Sequence, residues 1–470
     1  MLWLADWRFR DVQFSSSAFA QGSGGAVTPR AAHRLTVALL LPVLAACATY
    51  VPLPLPQGND LADHIVPEPF PALDMDSVAT LAVLHDPDLR TARAALHVSQ
   101  AQAFAAGLLP DPQFTYSADH PTDHVVSFTD PRYPEYNAYG LGLAVDLQTL
   151  LTHSNMHASA DAAYQQAQLN LLWQEWQTVS QARTLYVQQA IASERQQFLA
   201  PTAQIYEQTA TASQRALAAG NVTLEQSSAD QAVMVDIRSQ LGVAERSALQ
   251  AQQGLRTLLG VQPQVAVPLQ TLKFPAIPDR AGVIAALARL PEFRPDLRAL
   301  RAGYRSQEHL VHAAVLSQFP DVSLGISKAR DPSDTHTIGA SVSLTLPLFD
   351  RGRGRIAVQK ATREQLHAEY QARLDQTTGD VWQLWNELQQ LNAQLRDLEQ
   401  RLPSLQSTTE SARGAYLRGE FASASYLTLV SAYLAARGTR FDLMQNIWTD
   451  SIALATLLGT QVAIPADPNE

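Results

Sequence analysis

A single cysteine in 470 residues, Cys47, excludes an intrachain disulfide and any zinc site built on two thiolates. Long apolar runs are missing too. The uncharged segment from Leu35 to Ala46 is about 12 residues, whereas a membrane-spanning helix needs about 20. Basic clusters are scarce: the formal net charge is −10 and no dense Lys/Arg run occurs, which argues against a nucleic-acid partner because phosphates must be neutralised by basic patches. The chain has no nucleophile elbow, Walker loop, dinucleotide glycine fingerprint or His-Glu-x-x-His sequence, so it offers no catalytic residue and reads as a non-enzyme. Glycine and proline thin out between about 155 and 260 and again between 355 and 459, where alanine, glutamine and leucine dominate. These good helix formers predict two long helical blocks.

Cys47 has a different use. Arg30, His33 and Arg34 precede the uncharged segment, and small residues follow it, which is the anatomy of an export signal. Leu44-Ala45-Ala46-Cys47 resembles the bacterial lipoprotein box, which implies cleavage before Cys47, a diacylglycerol on its thiol and an acyl chain on its new amino group. No other cofactor and no metal are expected. Residue 48 is alanine rather than the aspartate that retains many such lipoproteins at the inner membrane, so the resemblance implies the outer membrane. Residues 1–29 are too long and too polar for a signal start and are set aside from fold reasoning.

The chain repeats itself. "DPDLRTARAAL" at 86–96 recurs as "RPDLRALRAGY" at 294–304, and "LLPDPQF" at 108–114 as "QFPDVSL" at 318–324. Gly140 and Gly339, Gly220 and Gly419, and Gly260 and Gly459 are each separated by 199. The offset of about 210 before residue 110 therefore shrinks by about 11, which marks an insertion in the first copy, "HPTDHVVSFTDPRYPEY" at 120–136, that reads as a loop. The expected organisation is an extension and lipoprotein signal peptide (1–46), a lipid-anchored proline-rich segment (47–74), a first repeat (75–262), a connector (263–280), a second repeat (281–461) and a tail (462–470).

Each repeat orders its elements alike: a helix (76–108 and 281–317), two period-two segments, a very long helix to a glycine, and a last helix. In "TIGASVSLTLPLF", Ile338, Ala340, Val342, Leu344, Leu346 and Leu348 alternate with Gly339, Ser341, Ser343 and Thr345. Leu141, Leu143, Val145 and Leu147 alternate with Gly140, Gly142, Ala144 and Asp146 in the first copy. Nothing else in the sequence is strand-like enough to cover the apolar face. Strands of about 10 residues, apolar outward and polar inward, predict a transmembrane β-barrel. Four strands cannot close one, because the smallest barrels have about eight, so several chains must contribute.

The second long helix carries a seam. Val381, Leu384, Leu388, Leu391, Leu395, Leu398, Leu402 and Leu405 recur at 3-4-3-4 spacing, a 3.5-residue repeat that keeps one stripe against a partner helix. Pro403, and Pro201 in the first copy, predict local kinks or breaks. A helix over 155–219 would be about 100 Å long, so two shorter helices stacked end to end would match it.

"HDPDLRTARAAL", "LPDPQFTYS", "VSLTLPLFDRGRGRI" and "YLRGEFASASYLTLVSAYL", in that order, resemble the outer membrane efflux protein family, the TolC-like channels, in its lipoprotein branch. The resemblance covers about 70–462. It implies a mainly α fold with a small β part: a homotrimer whose twelve strands form one outer membrane barrel and whose antiparallel helical hairpins form a periplasmic α-barrel. It also implies an exit duct that takes small molecules from an inner-membrane pump of the RND type through a periplasmic adaptor, with "RGRGR" at 351–355 near lipid headgroups. Heavy-metal cation export and multidrug export both remain open. The competing class is a non-transporting coiled-coil lipoprotein, a scaffold or adaptor, which would need soluble β-domains with more strands.

The resemblance places the periplasmic tip and aperture at Gly220, Glu225, Tyr416, Gly419 and Glu420. The family's Tyr-x-x-Gly stands as Tyr416-Leu417-Arg418-Gly419, whereas the first copy has Leu217-Ala218-Ala219-Gly220, which predicts that tyrosine contacts are missing there. Acidic residues often follow the second glycine in such channels and attract cations; here Ser425 and Thr428 occupy that window and only Glu420 is acidic. Glu225 is the alternative ring residue, and equally an ordinary solvated helix charge. His153 with His157, and His309 with His312, have helical spacing for two imidazoles on one face, but without a thiolate or acidic cluster no metal site is assigned. His120 and His124 fall in the inserted loop.

Overall fold

The computed structural model describes residues 50–64, 72–120 and 136–460. Cys47 and the signal segment lie outside the described residues, as do His124 and most of the inserted loop. Residues 50–59 belong to a separate unit and form an exposed extended segment rich in proline. The unit from Asp60 onward carries the fold.

Its elements run α1 (Met75–His85), α2 (Pro87–Gly107), β1 (Gln113–Asp119), β2 (Ala138–Asp146), α3 (Leu147–Ala218), α4 (Leu224–Leu258), α5 (Arg280–Phe293), α6 (Pro295–Leu316), β3 (Asp321–Arg330), β4 (His336–Thr345), α7 (Arg353–Leu417) and α8 (Ser423–Leu458). The same six-element order occurs twice. The single helix expected over 76–108 is two helices, because the Asp86 side chain accepts from the Asp88 amide and Pro87 occupies the first turn. The helix expected over 281–317 divides in the same way at Arg294-Pro295.

The 72 residues of α3 span about 108 Å and the 65 of α7 about 98 Å. The start of α3 precedes the expected residue 155, because the Asp146 carboxylate accepts from the Gln148 and Thr149 amides and converts strand to helix there. Leu147, expected in the strand row, is thus the first helical residue. Neither Pro201 nor Pro403 breaks its helix. Both are exposed, as are Gln197 and Glu399 one turn earlier, so water can reach the carbonyls that lose their amide partners.

The four strands form one antiparallel sheet in the order β1-β2-β3-β4. Register places Phe114 beside Leu143, Leu143 beside Ile326 and Ile326 beside Ala340, while Thr115, Gly142, Ser327 and Gly339 form the adjacent row. One face is therefore apolar over most of its length, with Lys328, Arg330 and His336 gathered at its β3–β4 turn end, and the other is small and polar. The apolar face is bare: Phe114 is 68% and Ile338 85% exposed. Gly142 leaves room for its neighbour on β1, because a Cβ there would lie 2.5 Å from Thr115 Oγ1 and displace that side chain. Among the described residues no helix is long and apolar enough to cross a membrane.

Packing runs along the long helices. Val78, Ala82, Tyr186, Leu255, Phe441 and Trp448 form a core where α1, α3, α4 and α8 meet. Around it, Ala62 bridges Val261 and Leu73 bridges Leu269 in parallel, so the segment before α1 and the connector before α5 run side by side. Tyr186 donates to the Gln270 carbonyl at 2.8 Å and ties them to α3. Its burial, chiefly, pushes the phenol up to about 12.

Candidate functional site

The seam leucines face α8 of the same chain. Val381, Leu388, Leu395 and Leu402, every seventh residue, are buried; Leu384, Leu391, Leu398 and Leu405 are half-buried between them. Leu388 and Leu395 join Leu443, Ile447 and Leu454 of α8 in one core. The seven-residue period continues through Thr409 to Tyr416, so the stripe delivers Tyr416 into the tip.

Two turns build the tip. Gly220 has φ 71° and Gly419 φ 74°, left-handed conformations that a residue with a Cβ adopts only under strain. Each lets the next amide reach back: Asn221 N–H donates to Ala216 O at 2.8 Å and Glu420 N–H to Ala415 O at 2.9 Å. Thr223 then caps α4 by accepting from the Gln226 amide at 3.2 Å.

Between the turns lies a buried polar cluster. The Tyr416 ring stacks on Tyr426 with centroids 4.6 Å apart, and its hydroxyl donates to the buried Asp230 carboxylate at 3.1 Å. Gln226 Nε2 donates to the same hydroxyl at 3.1 Å, and the Tyr206 and Tyr426 hydroxyls meet at 3.0 Å. Burial is the first cause lifting the Tyr416 and Tyr206 phenols above their usual range, and the bond to Tyr426 raises Tyr206 further. The expected lack of tyrosine contacts in the first copy is thus answered from both sides. Tyr416 of the second repeat bonds Asp230 and Gln226 of the first, and Tyr206 supplies a first-repeat tyrosine from the helix flank rather than the turn.

Glu225 lies exposed in the first turn of α4, and Glu420 pairs with Arg418 at 2.9 Å; neither enters the cluster. Asp230, Tyr206 and Tyr426 escaped the sequence reading. A signal existed for one of them: Asp230 precedes Val233, Ile237, Leu241 and Ala244 on their buried stripe, and an acid on such a stripe needs a partner.

The His153 and His157 rings stack with centroids 6.3 Å apart, and each has its own further partner. His153 Nε2 lies 3.0 Å from Leu108 O and His157 Nε2 3.5 Å from Asp161. Among the described residues no group of three or more His, Cys, Asp or Glu could hold a metal ion. The "RGRGR" stretch leads from the link after β4 into the first turn of α7, with Arg351 at φ 50° and Gly352 at φ 67° just before the helix begins at Arg353. Phe349 just before it is 92% exposed.

A duplicated unit of strand hairpin and helical hairpin, with a bare apolar sheet face and turns closing its helix pairs, defines a membrane channel subunit. Residues 78–261 and 287–460 each match the family described as Outer membrane efflux protein, one match per repeat. The chain belongs to that family and is an outer membrane efflux channel, not an enzyme. It is similar to the probable outer membrane lipoprotein SilC of Salmonella typhimurium, 23% identical over 399 residues, with 80% of this chain and 84% of that protein covered. It is also similar to the pyoverdine export outer membrane protein OpmQ of Pseudomonas aeruginosa, 25% identical over 416 residues, covering 83% and 86%. Its fold matches the outer-membrane channel OprN with a TM-score of 0.70 over 87% of this chain and 99% of that one, at 18% identity.

Proposed function

We propose that three copies of this chain close a twelve-stranded barrel in the outer membrane and continue as a helical duct into the periplasm. The observation that carries this reading is the four-stranded sheet itself. Its outer strands, β1 and β4, have no further partner strand among the described residues, its apolar face is bare, and about eight strands is the least that closes. Lipid would cover the apolar face, and the small polar face would line the pore. A scaffold lipoprotein has no use for such a face.

The duct receives small molecules from an inner-membrane pump of the RND type through a periplasmic adaptor. Leu224 and Leu417, exposed beside the two turns, are apolar contacts for that adaptor, and the Tyr416–Asp230 cluster holds the aperture closed. Cys47 carries the diacylglycerol and an N-acyl chain, in keeping with a relative named as an outer membrane lipoprotein. Arg351, Arg353 and Arg355 would meet headgroup phosphates while Leu348 and Phe349 enter the acyl region. The test is native mass measurement of the purified chain together with conductance in a planar bilayer. Three protomers with discrete conductance steps are expected, and a non-conducting monomer would overturn the proposal.

A further inference from the structure

Side chains of α3, α6 and α7 line an open trough of about 960 Å³. Arg298, Arg301 and Arg305 of α6 and His367 of α7 line it, and no carboxylate does. In a chain with formal net charge −10, that concentration of cations is unusual.

The guanidinium groups are not neutralised locally. Arg305 donates to the Gln165 side-chain oxygen at 3.1 Å and Arg301 to the Pro291 carbonyl at 3.1 Å, both uncharged acceptors. The Arg298 guanidinium has no hydrogen bond or ion pair among the described residues. Glu308, a nearby acid that does not line the trough, is bonded by the lining residue Tyr304 and pairs with Arg363 at 3.4 Å, so its charge is already partnered. Leu169 and Leu172 of α3, beside Gln165 and Gln168, and Leu300 of α6 add apolar surface to the lining. Guanidinium groups and leucines lining one trough suit a ligand with an anionic head and an apolar body.

We infer that this trough binds a small amphipathic organic anion, such as an aryl sulfonate or phosphate. Membrane lipid does not fit the position. Arg305 lies roughly 17 Å along α6 from the helix end that leads to β3, and the headgroup layer is only about 5–8 Å deep. The anion is therefore a solute, held by Arg298 and Arg305 through charge-assisted hydrogen bonds. The site is separate from the tip, and its occupancy does not depend on conduction.

The test uses the full chain in lipid nanodiscs and two probes that share their rings. 8-Anilinonaphthalene-1-sulfonate carries the charge; N-phenyl-1-naphthylamine lacks it. Saturable binding of the sulfonate is expected, about tenfold tighter than that of the amine. Arg298→Gln, which breaks no contact, should weaken the sulfonate several-fold. Combining Arg298→Glu with Arg305→Glu should abolish its binding and leave the amine unchanged. Arg401→Gln, at an exposed ion pair elsewhere on α7, should change neither. Equal affinity for both probes, or sulfonate affinity unaltered by Arg298→Gln, would overturn the inference even if the double variant fails to fold.

Discussion

Thr178 and Thr377 occupy equivalent places in the two repeats, and each bonds a buried charge of opposite sign. Thr178 donates to the Asp86 carboxylate at 3.1 Å, whereas Thr377 accepts from Arg294 Nη1 at 2.9 Å. Asp86 is 5% and Arg294 3% exposed, and each stands directly before the proline that starts the next helix. Arg294 is also bidentate to Asp296 and lies 4.9 Å over the Trp173 ring. Arg294→Ala would leave the buried Asp296 with Arg373 as its one ion-pair partner beside the Leu297 amide, so a loss of about 3–5 kcal/mol is expected. Asp86→Asn keeps a capping oxygen and should cost less than about 1 kcal/mol. Denaturant unfolding of the two variants would separate them.

Leu395 is 2% exposed, whereas its neighbour in the seam, Leu391, is half-buried. Leu395→Asp should cost more than about 4 kcal/mol, from lost packing and an unpaired buried carboxylate, and Leu391→Asp clearly less. Because the partner helix belongs to the same chain, the hairpin fails first and trimer yield follows. Thermal melts by circular dichroism and size exclusion in detergent would show both effects.

At the tip, Tyr416→Phe keeps the stack on Tyr426 but removes the donor to Asp230. A local loss of about 1–3 kcal/mol is expected. The trimer should persist while single-channel conductance or open time rises. Unchanged conductance together with unchanged adaptor binding would remove the cluster as the gate.

Burial, followed by the charge of Glu387, raises the Asp450 carboxyl from 3.8 to about 6. Since the folded value lies above the unfolded one, the group imposes no penalty below about pH 4, a growing one from about pH 4 to 6 and a constant one above. Its contribution should therefore make melting temperature fall between about pH 4 and 6. Asp450→Asn should flatten that slope and stabilise the protein at pH 7, as melting curves across that pH range would register.

Cys47→Ser should abolish incorporation of labelled palmitate. Export function should fall only partly, because a closed barrel holds the trimer in the membrane without the lipid. Undiminished labelling would remove Cys47 as the acylation point.

The sequence by itself determined the duplication, the two faces of the sheet and the seam from Val381 to Leu405, because periods of 2 and 3.5 residues are written locally and burial only has to follow them. Family order was legible for the same reason. Tertiary structure decided where those periods stop and what they bring together. Asp86-Pro87 and Arg294-Pro295 carried a boundary signal, since a residue before proline is pushed out of the helix, yet a buried threonine 199 residues from its counterpart fixed each break. Pro201 and Pro403 carried the opposite signal and were overridden, because solvent reaches the carbonyls they orphan and the helices are packed on either side. The tip was only half legible. Gly220, Gly419 and Tyr416 are marked by turn chemistry, but Tyr206, Asp230 and Tyr426 become one cluster only when helices up to 220 residues apart in sequence meet, which no local pattern records.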